Sequence, residues 1–584
     1  MKSRLRDWRA KLGVALETQR LRVSRTEALP QFAVLGIVSG LLAALVMMAF
    51  RGVIELAQSA LLPPGGPENY EELSVVLRFV FPIVGVLVIA AMFHRLSDAS
   101  RNLGVIHVLE RLAYHQGRLP LKSALVQFAS AAVAIVAGLS VGREGPAIHL
   151  GAASASLAGQ YLRLPNNSLR VLVGCGVAAA IAASFNTPLA GVAFAMEVVL
   201  MEYTVVGFAP VILAAVSATA VTHLVYGNAP AFSVPATVLK SVWELPYVLG
   251  MGLLVGALAA SFIMLVDRTA RHTRGWSFWA RALLAGALTG LFAWPAPQIM
   301  GVGYDTVGST LLGSFGIGVL ITIVVFKWLA TGLTIGMGIP GGFIGPLVVI
   351  GAAAGGAFGA LGHSVAPDSM SSPALYALIG FGAMMAGALH APLAALTAML
   401  ELTGNPNIIW PGMLAVIAAY GVSRVVFGQQ SIFVTLMRAR GLDYRHDPLL
   451  QSLRRVGIGA VMDTNVIVLP RLVSRAVIEG TLAGSPEWIL VLGENGPVAL
   501  LPVMDLARQM MEAPEDANLD LLELPAERLQ VSSIGLQATL QEALEAMDAG
   551  AEALYVECAA AYDGKPGYGI VTRADIDKGY RYGA

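Results

Sequence analysis

The 584-residue chain is poor in charge: 13% of its residues are Asp, Glu, Lys or Arg, about half the share of an ordinary soluble protein. With 56% in the hydrophobic set and a mean hydropathy of +0.69, this excludes a wholly water-soluble globular enzyme. Neither sign of charge is in excess, since 38 basic residues match 38 acidic ones. The chain therefore has no overall field that would draw nucleic acid or an acidic polymer. Cysteine is nearly absent: Cys175 and Cys558 are too few for a disulfide framework or a thiolate metal site, so no redox role, metal or required cofactor is expected. No HExxH stands in the apolar region and no serine there is read as a nucleophile elbow, so a membrane hydrolase is not expected either.

What the chain has is long apolar sequence between two polar ends. Residues 1–28 carry Lys2, Arg4, Arg6, Arg9, Lys11, Arg20, Arg22 and Arg25 against Asp7, Glu17 and Glu27, with apolar positions at helical spacing. This predicts a basic N-terminal helix held in the cytoplasm by the positive-inside bias. The first long apolar run begins only after Pro30, unlike a cleaved secretory signal. From Phe32 to about Phe427 apolar segments follow one another. Between Val171 and Leu239 only Glu197 and Glu202 are charged, and between Trp328 and Leu400 only Asp368. At roughly 20 residues per crossing, such a region makes about a dozen or more spanning or partly spanning helices. Gly and Pro interrupt these segments, and broken helices survive in lipid only where they face protein or a wet cavity, so the breaks mark a site.

The expected fold class is an all-α polytopic membrane domain over 29–440, followed by a small cytosolic α/β tail. Alternating patterns such as Glu487-Trp-Ile-Leu-Val-Leu predict two β-α-β-like units there, 455–512 and 526–582, with a helix over Leu540–Met547 and an exposed acidic linker over Ala513–Leu522.

The apolar region repeats itself, over about 75–225 and 275–440. Gly142-Arg-Glu-Gly-Pro146 matches Gly342-Phe-Ile-Gly-Pro346, and Thr187-Pro-Leu-Ala190 matches Ala391-Pro-Leu-Ala394. Glu197 lies nine residues beyond Pro188, and Glu401 nine beyond Pro392. Halves of this kind commonly insert with inverted topology and meet near the membrane midplane. Gly-x-x-Gly-Pro suits a helix that starts inside the membrane: Pro is tolerated in the first turn, and Gly admits a ligand to the backbone. The first N–H groups of such a helix lack internal partners and carry the positive end of its dipole. Two such tips aimed at one point make an anion site that holds a halide by partial charges and still releases it. A cation path would want several carboxylates there, and the two motifs offer one, Glu144.

At these residues the chain resembles the CLC family of chloride channels and chloride/proton antiporters. The likeness rests on Gly142-Arg-Glu-Gly-Pro146, Ala183-Ser-Phe-Asn-Thr-Pro-Leu-Ala-Gly191 and Gly338-Ile-Pro-Gly-Gly-Phe-Ile-Gly-Pro346. The resemblance implies a homodimer in the plasma (inner) membrane, both termini cytoplasmic, with one pathway per subunit for chloride and possible passage of nitrate or bromide. It implies that Glu144 is the gate, that Gly142, Arg143, Gly145, Phe343 and Ile344 surround the anion, and that the tail is a pair of CBS units. A carboxylate suits the gating task, because it occupies an anion site as a tethered competitor until a proton removes its charge.

The chain departs from the family pattern at three places. Leu103 stands where a serine hydroxyl is usual, and Phe433 where a tyrosine is usual, which removes two donors to a central anion and predicts weak preference for chloride over nitrate. Val198 stands where antiporters of the family place a proton-carrying glutamate, and Glu202 and His149 are candidate relays in its place. This favours passive chloride conduction gated by Glu144, with chloride/proton exchange by another internal route as the alternative. Glu197 and Glu401 are expected to share a structural task such as satisfying a helix end. In the tail, Gly569-Ile-Val-Thr572-Arg-Ala-Asp575 resembles the CBS motif in which Thr meets phosphate and Asp meets ribose. The first unit has Pro502 instead, so at most one adenine-nucleotide site, at Thr572 and Asp575, is expected.

Overall fold

A computed structural model describes residues 28–64, 68–201, 205–228, 232, 237–442, 448–482, 486–494, 496–512, 518–558 and 567–582. The predicted N-terminal helix, apart from Ala28, and Glu202 lie outside them. The chain forms two compact units: 33–160 with 170–444, and 1–32, 161–169 and 445–584.

The apolar region is helical throughout. It begins with α1 (Leu29–Leu61), α2 (Val75–His94), α3 (Gly104–Tyr114), α4 (Leu121–Val136), α5 (Glu144–Tyr161), α6 (Asn166–Phe185), α7 (Pro188–Phe194) and α8 (Val205–Tyr226). After α9 (Leu245–His272) a corresponding series follows: α10 (Phe278–Phe292), α11 (Tyr304–Leu311), α12 (Ile317–Gly336), α13 (Ile344–Val365), α14 (Pro373–Leu389), α15 (Pro392–Thr403), α16 (Ile409–Gly421) and α17 (Ile432–Ala439). Among the described residues, eight helices are long and apolar enough to cross a membrane, and others, such as α4, α10, α14 and α15, are apolar but shorter. The expected dozen crossings thus resolve into full and partial ones. Partial helices are tolerated because they are enclosed: every residue of α14 from Ala374 to Leu389 is buried.

Equivalent glycines set equivalent helix crossings in the two halves. A Cβ on Gly176 would fall 2.1 Å from the Gly151 carbonyl oxygen where α5 meets α6, and one on Gly380 would fall 2.4 Å from that of Gly351 where α13 meets α14. Backbones can approach this closely only without side chains.

Glu197 and Glu401 perform one task reciprocally. Glu401 accepts the N–H groups of Leu189 and Ala190, both at 2.8 Å, at the start of α7. Glu197 accepts those of Leu393 and Ala394, at 3.3 and 2.9 Å, at the start of α15. Each half therefore caps a helix of the other, with a carboxylate at the positive end of the dipole, as the shared spacing predicts. Replacing either glutamate with Ala is expected to lower stability by about 1–3 kcal/mol, the scale of hydrogen bonds to a charged group. Thermal unfolding in detergent should show similar losses for the two variants; an unchanged transition would remove the capping role.

In the tail, α18 (Pro448–Arg455) precedes β1 (Val466–Pro470), β2 (Leu472–Ser474), α19 (Arg475–Leu482), β3 (Trp488–Gly493), β4 (Gly496–Pro502) and α20 (Val503–Glu512). Then come β5 (Asn518–Asp520), β6 (Leu529–Ser533), α21 (Leu540–Asp548), β7 (Ala553–Cys558), β8 (Gly567–Thr572) and α22 (Arg573–Tyr582). One sheet runs in the order β1-β3-β4-β6-β7-β8. In each half a parallel pair is followed by an antiparallel one, and β4 with β6 joins the halves. The linker departs from expectation. Its residues Asn518–Asp520 form a strand antiparallel to β2, and Leu521 is fully buried, so a segment of polar composition is partly built into the fold.

Candidate anion-binding site

The two Gly-x-x-Gly-Pro segments meet at their first glycines. Gly142 and Gly342 form an isolated antiparallel bridge, N–H to carbonyl at 2.6 and 2.7 Å in the two directions. Equivalent residues paired antiparallel are related by a local two-fold rotation, which is the inverted relation the repeat implies. Immediately beyond, α5 starts at Glu144 and α13 at Ile344. The first intrahelical bonds are Ala147 N–H to the Arg143 carbonyl and Leu347 N–H to the Phe343 carbonyl, both 2.9 Å. The amides ahead of them are the unspent donors of each tip. Glycine is required for this approach, since a Cβ on Gly342 would stand 2.6 Å from the Gly145 nitrogen.

The Glu144 carboxylate lies between the tips. Glu144 is 3% exposed, and a Cβ on Gly142 would fall 2.0 Å from its Oε2, one on Gly345 2.6 Å from its Oε1. Oε1 accepts the Tyr304 hydroxyl at 2.5 Å, while Oε2 is buried with no hydrogen-bond partner among the described residues. Tyr304 opens α11 and is held edge-on by Phe185 and Phe232, with ring centroids 5.9 and 5.5 Å away. Arg143 does not pair with Glu144: its guanidinium sits 5.2 Å from the centres of both the Phe185 and Tyr304 rings, and Nη2 donates to the Ser184 carbonyl at 3.4 Å.

Two cavities reach this point. The larger, about 520 Å³, is lined by Arg143, Tyr304, Asp305, Glu68, Arg51 and His223. The smaller, about 70 Å³, is lined by Leu103, Gly104, Gln127, Gly145, Phe343 and Ile344, among others. Gly142, Arg143, Glu144, Gly145, Phe343 and Ile344 are therefore brought together, and Leu103 joins them through the smaller cavity. Phe433 is buried with its ring 5.2 Å from that of Phe343 and 5.9 Å from that of Phe194, a wall of aromatic carbon without a hydroxyl. Val198 is buried in a π-helical turn, Ala195–Leu200, that continues α7.

His149 is not free. Its Nδ1 lies 3.2 Å from Gln127 Oε1 and its Nε2 lies 3.1 Å from His107 Nδ1, all three side chains buried. In the tail, the Thr572 hydroxyl donates to Asp575 Oδ2 at 2.6 Å, and the Thr572 N–H reaches the same oxygen at 2.9 Å. The pair caps α22 and satisfies itself. Among the described residues no group of three or more His, Cys, Asp or Glu is placed to hold a metal.

Three residues escaped the sequence reading. Tyr304 belongs to no motif. Gln127 gave a signal, an uncharged polar side chain inside an apolar helix, which marks function by default in a membrane. Gly138-Leu-Ser-Val-Gly142 does carry the Gly-x-Ser-x-Gly spacing of a nucleophile elbow. Ser140 is nevertheless fully buried in a hydroxyl pair with Thr331 at 2.9 Å, without a base, so the spelling is structural.

Opposed partial helices with a carboxylate between their tips define a membrane anion-transport protein. The voltage-gated chloride channel family model matches residues 84–424, and the chain belongs to that family. It is similar to a ClcB-like protein of Ralstonia nicotianae named after chloride channels, 32% identical over 355 residues, 60% of this chain and 81% of that one. It is also similar to the H(+)/Cl(-) exchange transporter ClcA of Vibrio cholerae, 28% identical over 318 residues, 52% of this chain and 67% of the relative. A eukaryotic CLC transporter crystal structure shares the fold over 96% of this chain and 98% of that one, with TM-score 0.55 and 20% identity.

Proposed function

We propose that this chain exchanges chloride for protons across a cell membrane, with Glu144 as the group that both gates the anion and carries the proton. The observation that carries the reading is the buried Glu144 carboxylate seated between two helix N-termini, where it competes with a halide for the same amides. Protonation removes that competition and moves one proton per seating, which ties the two fluxes together. The relatives named as exchange transporters add weight on the same side. Passive conduction is the second reading, favoured by Val198, since an alkyl side chain carries no proton. Under exchange, protons reach Glu144 from the far side through water in the small cavity, which Gly145 and Gly342 line.

The protein works as a homodimer in the plasma (inner) membrane, termini and tail on the cytoplasmic side, and passes nitrate and bromide as well as chloride. The tail is a CBS pair, and an adenine nucleotide at Thr572 and Asp575 has to displace their mutual hydrogen bonds. The deciding experiment is reconstitution into vesicles under a chloride gradient while external pH is recorded. Uphill proton movement driven by chloride is expected; chloride flux with no proton movement would leave conduction.

A further inference from the structure

Leu103 and Phe433 supply no donor to an anion in the small cavity, yet the cavity contains one that neither composition nor motif assigns. Gln127 lies on α4, is fully buried, and lines the cavity beside Leu103, Gly104 and Phe343. Its Oε1 accepts the Gly104 N–H at 2.6 Å and faces His149 Nδ1 at 3.2 Å. A backbone N–H can only donate, so the amide has one possible orientation, with oxygen toward Gly104. His149 Nδ1 then carries a proton, its Nε2 accepts, and His107 Nδ1 donates to it at 3.1 Å. The chain of donors runs one way and ends on Gln127, whose Nε2 is buried with no hydrogen-bond partner among the described residues.

An orphaned buried donor is costly unless something accepts from it. We infer that Gln127 Nε2 is the side-chain donor to a monovalent anion in the small cavity, taking the place of the hydroxyls lost at Leu103 and Phe433, with His149 and His107 as positioning residues behind it. About 70 Å³ is ample, since a single water needs only roughly 10–15 Å³. The Gln127 amide is itself neutral; the full charges in the lining are those of Arg101 and Arg440, which raise the potential of the cavity, and Arg101 Nε donates to the Phe93 carbonyl at 3.0 Å.

The inference rests on the anion-transport reading and is tested separately from it. A bromide derivative of the full-length wild-type protein is expected to show an anomalous peak within hydrogen-bonding distance of Gln127 Nε2. In Glu144→Gln, where no carboxylate competes for the tips, bromide between the tips but absent beside Gln127 would overturn this inference alone, and bromide at neither place would overturn both. By titration calorimetry with sodium chloride, Gln127→Met should weaken chloride binding roughly ten- to hundredfold, the scale of a hydrogen bond to a charged partner. If the Met variant does not fold, the bromide position in the wild-type crystal tests the same point by itself. Wild-type affinity in a folded Gln127→Met protein would overturn the assignment.

Discussion

Glu144→Gln is expected to carry chloride at a rate that does not respond to pH, whereas the wild-type rate rises as the medium is acidified. Glutamine has nearly the shape of the acid and keeps an oxygen for the Tyr304 hydroxyl, but it never bears the charge that makes the side chain a rival to chloride. On the proposed mechanism, the site is left in the state that protonation produces. Coupling should vanish with the gate, because the same group holds the proton: vesicles containing Glu144→Gln should move chloride with no accompanying proton flux. Chloride and proton fluxes measured between about pH 4.5 and 7.5 check both halves of the expectation. A flux that still climbs with acid would take the gating role away from Glu144.

The second large effect is expected at Tyr304. Among the described residues its hydroxyl is the one hydrogen-bond partner of the seated carboxylate, and a hydrogen bond to a charged acceptor is worth roughly 1.5–3 kcal/mol. Tyr304→Phe removes that hold while leaving the ring between Phe185 and Phe232. The ionised, seated form loses stability relative to the protonated, released one, so flux should activate at higher pH. The flux-pH curve should move toward higher pH as a whole, read by comparing the two proteins' chloride flux across the same pH series. An unmoved curve would mean that the helix tips alone hold the gate. Double replacement with Glu144→Gln should add little in pH response, since the two residues act on one step.

The two variants separate what could be read in the chain from what could not. Gly142, Gly342, Glu144 and the Pro residues of the tips were legible because backbone geometry demands those residue types: two helix ends that touch admit no side chain, and a helix starting within the membrane tolerates Pro early. The Glu197 and Glu401 caps were legible for a related reason, as equal spacing from Pro188 and Pro392 preserved their task in both halves. Tyr304 and Gln127 obey no such local demand. Each sits on a helix of its own, α11 or α4, and meets α5 through a side chain, Tyr304 at Glu144 and Gln127 at His149. The tail linker shows the same limit: Asn518–Asp520 looks like polar loop, and pairing with β2 makes it a strand.

The amino-acid order alone settles that this chain lives in a membrane, is built twice over, and carries one acid at the junction of its halves, since apolar length, repetition and glycine placement are properties of contiguous residues. Tertiary packing decides which side chains finish the site. A phenol from one helix and an amide from another become its donors by proximity in space, and proximity between distant segments leaves no local pattern to find.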